Sequence, residues 1–299
     1  MPLSRRRATG WAEGLGVPSG GKTVLYTGLM YQLMPSMIAL EKMLARFEDS
    51  SLRGILGVGR AANRKLNLSW FASFLVDRED QQTFDNILRD VVFLLRNADV
   101  EFGYLYEEEL YAGALAHDEG ICGAFEKQAR RVLRLFQSHG VKRVITVDPH
   151  TTNILRTVYP KILPVNGLRV QSYLEILAES GKMPRRPPES AATIHDSCVY
   201  ARHEGIVEEP RCLLEAAGVE VREPEHSGKM TFCCGGPIES LFPGKARAIA
   251  ETRLQQLAAA GSNAITMCPI CLVNLRGVAR GQNVLVEDIS GYLAAAERD

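Results

Sequence analysis

The sequence predicts an α/β fold of two related sub-domains, with mainly parallel sheets flanked by helices. Three observations carry this. Short apolar runs alternate with amphipathic helical stretches along the chain. The order of these elements is similar on either side of Gly181–Pro188 (GKMPRRPP), whose prolines and charges suit an exposed connection. At 299 residues the chain is long enough for two cores.

In the first half, Thr23–Tyr26 (TVLY) reads as a short buried strand. Met30, Tyr31, Leu33 and Met34 follow at helical spacing, as core or as the wall of a pocket between the halves. A helix over Ala124–Gln137 leads to a strand at Val141–Val147 (VKRVITV). In the second half, Ala192–Ile194 reads as the opening strand. The helix Lys245–Ala260 starts after Pro243-Gly244, repeats apolar residues at Ile249, Leu254 and Leu257, and stops at Gly261. The strand Ser262–Met267 (SNAITM) follows. The expected division is 1–185 and 186–299.

The halves also match locally. VITVDPHTTNIL (144–155) aligns with AITMCPICLVNL (264–275), placing Asp148 opposite Cys268 and Thr151 opposite Cys271. Tyr111-Ala112-Gly113 stands opposite Cys233-Cys234-Gly235, and Leu29 opposite Cys198. The first half then carries a largely helical insertion near residues 47–96. We read an old duplication whose first copy lacks its thiols.

Composition narrows the function classes. Lys plus Arg equals Asp plus Glu at 35 each, so no global field favours nucleic acid or acidic membranes. The Arg5-Arg6-Arg7 run is followed by a Gly-rich polar stretch, so no secretory signal or membrane-spanning helix is readable. The expectation is a cytoplasmic protein with no direct membrane insertion. Seven cysteines in a reducing compartment point to metal binding or redox chemistry rather than structural disulfides. Only Cys122 lies in the first half.

Cys198, Cys233, Cys234, Cys268 and Cys271 read as one site. Cys198 follows a strand, Cys233-Cys234-Gly235-Gly236 forms a turn, and Cys268-Pro-Ile-Cys271 joins a strand to a helix. Loops at the carboxyl ends of strands are where open α/β sheets build their sites. Structural zinc takes four ligands, which leaves one thiol over. A multi-iron cluster can use a fifth thiolate, and the spacing fits no ferredoxin run. A thioredoxin-like Cys268/Cys271 pair would leave three thiols without a role.

The run HDSC(198)VYAR…EEPRCLLEAAGVEV, then FCCGG, then MCPICLVNL resembles the cysteine-rich CCG domain typified by the B-type subunit of heterodisulfide reductase. Related subunits occur in glycerol-3-phosphate and lactate oxidation complexes. The resemblance covers about 80 residues and implies that Cys198, Cys233, Cys234, Cys268 and Cys271 hold a noncubane [4Fe–4S] cluster, one per chain. It implies an oxidoreductase subunit that exchanges electrons with a thiol or disulfide substrate through an iron able to bind its sulfur. Partners would be a ferredoxin-type iron–sulfur subunit and a flavoprotein subunit, in a heterodisulfide-reductase-like complex such as those of sulfur metabolism. His195 and Arg202 fall beside the motif and would line the approach; Ser197 replaces the usual proline. The missing first-half cysteines depart from the two-cluster pattern. Other readings are a subunit whose cluster never touches substrate, and a zinc-binding structural module.

Three further features have ordinary explanations. Gly16–Thr23 (GVPSGGKT) matches the P-loop letter for letter, but the strand comes after Lys22, so the match is accidental. Cys122 and Cys212 read as ordinary, partly buried thiols. Asp148 and His150, with Tyr111 near, offer a metal site that reads more readily as structural.

Overall fold

The computed structural model describes residues 3–48, 76–165, 167–183, 186, 190–239 and 242–298; for 41 and 43–48 it describes the backbone alone. Two four-stranded sheets, every pairing parallel, form the frame. The first runs β2-β1-β3-β4, with β1 Thr23–Tyr26, β2 Gly103–Tyr104, β3 Arg143–Thr146 and β4 Arg169–Ser172. The second runs β6-β5-β7-β8, with β5 Ser190–His195, β6 Val219–Arg222, β7 Asn263–Thr266 and β8 Leu285–Asp288. The two orders are the same, as the duplication requires.

The central strands are apolar because helices cover both of their faces. Val24, Leu25 and Tyr26 of β1, and Val144 and Ile145 of β3, have no exposed surface. The predicted helices are present as Cys122–Ser138 and Pro243–Ala260. The helix Arg78–Asn97 buries Phe84, Leu88, Val91 and Leu95 along one face. It covers the end of the proposed insertion; residues 49–75 of that insertion lie outside the described residues, as do 184, 185, 187 and 188 of the expected connection. Before Gly16 come only the helix Arg5–Thr9 and the helical turn Gly10–Ala12 among the described residues, and Lys22 runs straight into β1. The P-loop arrangement of strand, loop and helix is therefore missing there.

Several contacts across the halves gather near the loops that follow the strands, while Asn97 with Glu297 and Arg298 with Asp90 join the halves elsewhere. Tyr31 donates to Asp288 at 3.0 Å, and the Tyr200 and Ser172 hydroxyls meet at 2.8 Å. Asn153 donates to Glu204 at 2.7 Å. Asp288 and Ser172 end their strands, the other partners lie on the helices that follow strands, and one hydrophobic core spans both halves. Met30, Tyr31 and Met34 belong to that core and Leu33 packs against it, as the core reading expects; Met34 alone of the four also lines a small cavity with Ile270 and Asn274.

In the first half, the loop after β1 is held by the buried Glu109 carboxylate. It accepts from the Thr27 and Gly28 backbone N–H groups at 2.6 and 3.2 Å, the Thr27 hydroxyl at 2.9 Å and the Tyr104 hydroxyl at 2.6 Å. Burial raises its pKa to about 7 against these bonds. From the ordinary carboxylate range up to that value, the folded chain keeps a proton that the unfolded chain has lost. Its contribution is therefore full at acid pH and is lost as pH rises through 7. Glu109→Gln places an amide oxygen opposite the two N–H groups and an amide donor opposite the two hydroxyls, so it should fold. Thermal melts from pH 5 to 8 should show wild type losing stability relative to Glu109→Gln as pH rises. Glu109→Ala should cost roughly 2–4 kcal/mol by stranding buried donors. A parallel pH dependence in wild type and the Gln variant would contradict the assignment.

Candidate functional site

His195 ends β5, and the segment after it carries Asp196 and Cys198. Asp196 is buried and receives both Arg211 amino groups, at 2.8 and 2.9 Å, and the Gly228 N–H at 2.7 Å. The Thr231 hydroxyl donates to the Asp196 carbonyl at 3.0 Å. Arg202 donates to the Lys229 carbonyl at 3.1 Å and to the Thr231 carbonyl. Arg202 thus works on the segment that leads to Cys233, tying it to the loop bearing Cys198. Past Cys198 the helix widens into a π turn at Tyr200–Glu204, a feature common at functional sites.

The Cys233-Cys234 turn lies against the helix Pro243–Ala260. Gly235 has φ +85°, and a Cβ there would fall 2.3 Å from the Ala246 carbonyl oxygen, so only glycine fits. A Cβ on Gly236 would meet Ile270 at 2.3 Å. The Gly235 N–H donates to the Cys233 sulfur at 3.3 Å, and Asn274 donates to the Cys234 carbonyl at 3.2 Å. Cys268 is the N-cap of the helix Pro269–Ala279, with Pro269 in its first turn and Cys271 one turn in. The strand-to-helix reading of this segment holds.

These three loops bring the five thiols together. Each thiol feels the next: Cys198 acts on Cys233, Cys233 on Cys234, Cys234 on Cys271, and Cys271 on Cys268. Cys234, Cys268 and Cys271 are buried, while Cys198 and Cys233 are half-buried. All seven cysteines are free. The donors in the chain are pushed up in pKa: Cys198 by its bond to Cys233, Cys234 by its bond to Cys233, and Cys271 by its bond to Cys234. Cys233 is lowered by accepting from Cys198 and Cys234. Burial acts to raise Cys268, but bonds from Cys271 and His150 hold it well below the usual thiol range.

Two histidines border the sulfurs. His195 is buried; burial and the Arg253 charge bring its pKa down to about 3, so it is neutral. It lies within 4.8 Å of the Cys234 and Cys271 sulfurs. His150 comes from the other half. Burial pushes its pKa down, but bonds to Asp118 (3.4 Å) and Cys268 hold it at about 10. A cleft of about 250 Å³ runs between the halves to this point, lined by Asp118, His150, Lys161, Val199 and His203 among others.

The matching region of the first half is closed. Asp148 is the N-cap of the helix Pro149–Asn153, as Cys268 is of its own helix, and accepts from the Thr151 N–H at 2.9 Å. A Cβ on Gly28 would lie 2.4 Å from the Thr151 hydroxyl and 3.3 Å from the Ala112 Cβ. Tyr111 accepts from the Leu115 N–H at 2.7 Å. Among the described residues, Asp148 and His150 belong to no group of three His, Cys, Asp or Glu side chains close enough to share a metal ion.

Residues 192–276 match the cysteine-rich domain CCG. The chain belongs to the CCG-domain iron–sulfur family. It is 32% identical over 244 residues to a probable membrane-anchored ferredoxin of Chromohalobacter salexigens, covering 77% of this chain and 36% of that protein. It is 35% identical over 196 residues to the EtfAB:quinone oxidoreductase of Syntrophomonas wolfei, covering 61% and 27%. With the D-type subunit of the dihydromethanophenazine:CoB--CoM heterodisulfide reductase of Methanosarcina barkeri it shares 26% over 217 residues, covering 68% and 53%. The chain thus spans between about a quarter and a half of these relatives' lengths. The aspartate racemase of Picrophilus torridus overlays on 70% of this chain and 86% of its own, with 13% identity and a TM-score of 0.31.

Sequence reasoning placed the five CCG cysteines but missed His150, Asp118 and Arg253 as their neighbours. It also expected Cys122 and Cys212 to be partly buried, whereas both are exposed. Cys212 lies on the outer face of the helix Glu208–Ala216, whose inner face carries Leu213 and Leu214. Brief alkylation of metal-free folded protein should therefore label Cys122 and Cys212 first, read by peptide mass spectrometry. Cys234, Cys268 and Cys271 should react only on unfolding. Equal labelling of Cys234 and Cys212 would contradict the burial described.

Proposed function

We propose that Cys198, Cys233, Cys234, Cys268 and Cys271 hold one iron–sulfur cluster, and that the chain is an electron-transfer subunit of a heterodisulfide-reductase-like complex. The observation that carries this is the convergence of three loops that brings the Cys234 and Cys271 sulfurs within 4.8 Å of one another and leaves each of the five thiols shifted in pKa by its neighbours. The donor set fits the group: five soft ligands from three loops, too many for one structural zinc. The His195 Nε2 is buried without a hydrogen-bond partner, so a polar group is aimed at a place that lacks its counterpart. We assign a noncubane [4Fe–4S] type from the CCG resemblance, and one cluster per chain from the closed first half. The two halves, 1–185 and 186–299, are the proposed sub-domains.

Such a cluster, when bound, supplies one-electron steps and an iron that can take a further sulfur ligand. The protein's part is to bury the sulfurs, hold the three loops and keep water from the inner ligands. The cleft is lined by His150, which contacts Cys268, and by Val199, the residue after Cys198, so we place the approach of a thiol or disulfide on this side. A ferredoxin-type subunit and a flavoprotein subunit are the proposed electron partners, in keeping with the names of the relatives. No helix among the described residues is long and apolar enough to cross a membrane.

A second reading places a single zinc ion on His195, Cys234 and Cys271, whose ligand atoms lie within 4.8 Å of one another. It leaves Cys198, Cys233 and Cys268 unused. Cys234→Ser and Cys212→Ser, prepared identically without oxygen, separate ligand from bystander. The first should lose most of its iron and melt lower, because a cluster also cross-links the loops. The second, at an exposed position, should keep wild-type iron and change stability by no more than about 0.5 kcal/mol. Equal iron retention in the two would overturn the ligand set, and stoichiometric zinc in wild type would favour the second reading.

A further inference from the structure

Arg253 is a charged residue on the buried face of the helix Pro243–Ala260, among Ala246, Ala250, Leu254 and Leu257, with no exposed surface. A buried guanidinium needs partners for its donors. It gives Nη1–H to the His226 carbonyl at 2.8 Å and to Gln256 at 3.0 Å, and Nε–H to His195 Nδ1 at 3.0 Å. Arginine only donates, so Nδ1 of His195 must present its lone pair. The imidazole proton then sits on Nε2. That nitrogen is buried without a partner, and so is Arg253 Nη2. The ring lies within 4.8 Å of the Cys234 and Cys271 sulfurs.

We propose that Arg253 fixes His195 as an N–H donor to the sulfurs of the bound cluster, and that His195 is not one of its ligands. This rests on the cluster reading above. A ring nitrogen that carries a proton has no lone pair in the ring plane to give a metal, whereas a thiolate or sulfide is a ready acceptor for it. Hydrogen bonds to cluster sulfurs stabilise the more negative, reduced form and raise the reduction potential. His195 thereby sets the potential, and Arg253 is the positioning residue behind it. The second half needs no ligand beyond its five thiols.

The test uses full-length protein loaded with iron, labelled with ¹⁵N-histidine and studied in its paramagnetic state by pulsed electron–nuclear double resonance. The expected spectrum has no strongly coupled nitrogen, and an exchangeable proton coupling that is lost in deuterated buffer and in His195→Leu. Dye-mediated titration should place His195→Leu at a lower potential than wild type, with His195→Gln, which keeps an N–H donor, in between. Both variants should keep wild-type iron and sulfide. A strongly coupled histidine nitrogen that disappears in His195→Leu together with iron would overturn the proposal by making His195 a ligand. An unchanged proton spectrum and potential in that variant would overturn it by showing no bond. Wild-type protein without iron and sulfide would instead defeat the underlying cluster reading, a separate and recognisable failure.

Discussion

Five thiols gathered at one place, three of them buried, are an unusual thing for a protein to hold. Ionising one sulfur makes its neighbours harder to ionise, so they cannot all ionise unless positive charge enters the site. The remaining structure of the second half follows from holding them there. Asp196 with Arg211, and Arg202 with the carbonyls of Lys229 and Thr231, bind the Cys198 loop to the segment before Cys233. Gly235 lets the Cys233-Cys234 turn lie against a helix, and Asn274 fastens that turn to the helix carrying Cys271. None of these contacts is needed for a four-stranded parallel sheet; all are needed to make three loops converge on one point.

The two halves show what becomes of the same frame when the thiols are absent. Strand order is the same in each, and Asp148 and Cys268 occupy the same N-cap position after a central strand. In the first half, Gly28, Ala112 and Thr151 pack directly on one another, and Glu109 holds the loop after β1. Protein groups thus do there what a cluster would do in the second half. The first half is not an idle copy, for its His150, backed by Asp118, reaches across to Cys268 and forms one wall of the cleft.

How much of this was legible in the sequence follows from burial. The central strands β1, β3, β5 and β7 could be read because each has a buried apolar stretch at its middle, such as Val24-Leu25, Val144-Ile145 and Ala264-Ile265. The strands that escaped notice, β2, β4, β6 and β8, are the sheet edges. They have two to four residues each, and several carry charge, as in Val219–Arg222 (VEVR) and Leu285–Asp288 (LVED). The cysteines announced themselves by residue type and spacing. The His150–Cys268 contact spans both halves and has no local signal. Arg253 did have one: a charge on an otherwise apolar helix stripe, which asks for a buried partner. Cys212 was misplaced because its helix turns Leu213 and Leu214 inward and leaves the thiol outside.

The central claim is that this chain concentrates its metal chemistry in the second half, as one cluster on five thiolates. Metal and acid-labile sulfide analysis of protein expressed with ample iron and purified without oxygen tests it most directly. About four iron and four sulfide per chain, with no stoichiometric zinc, is the expected result. Zinc in place of iron with no sulfide would contradict the cluster, and about eight iron per chain would contradict the closed first half.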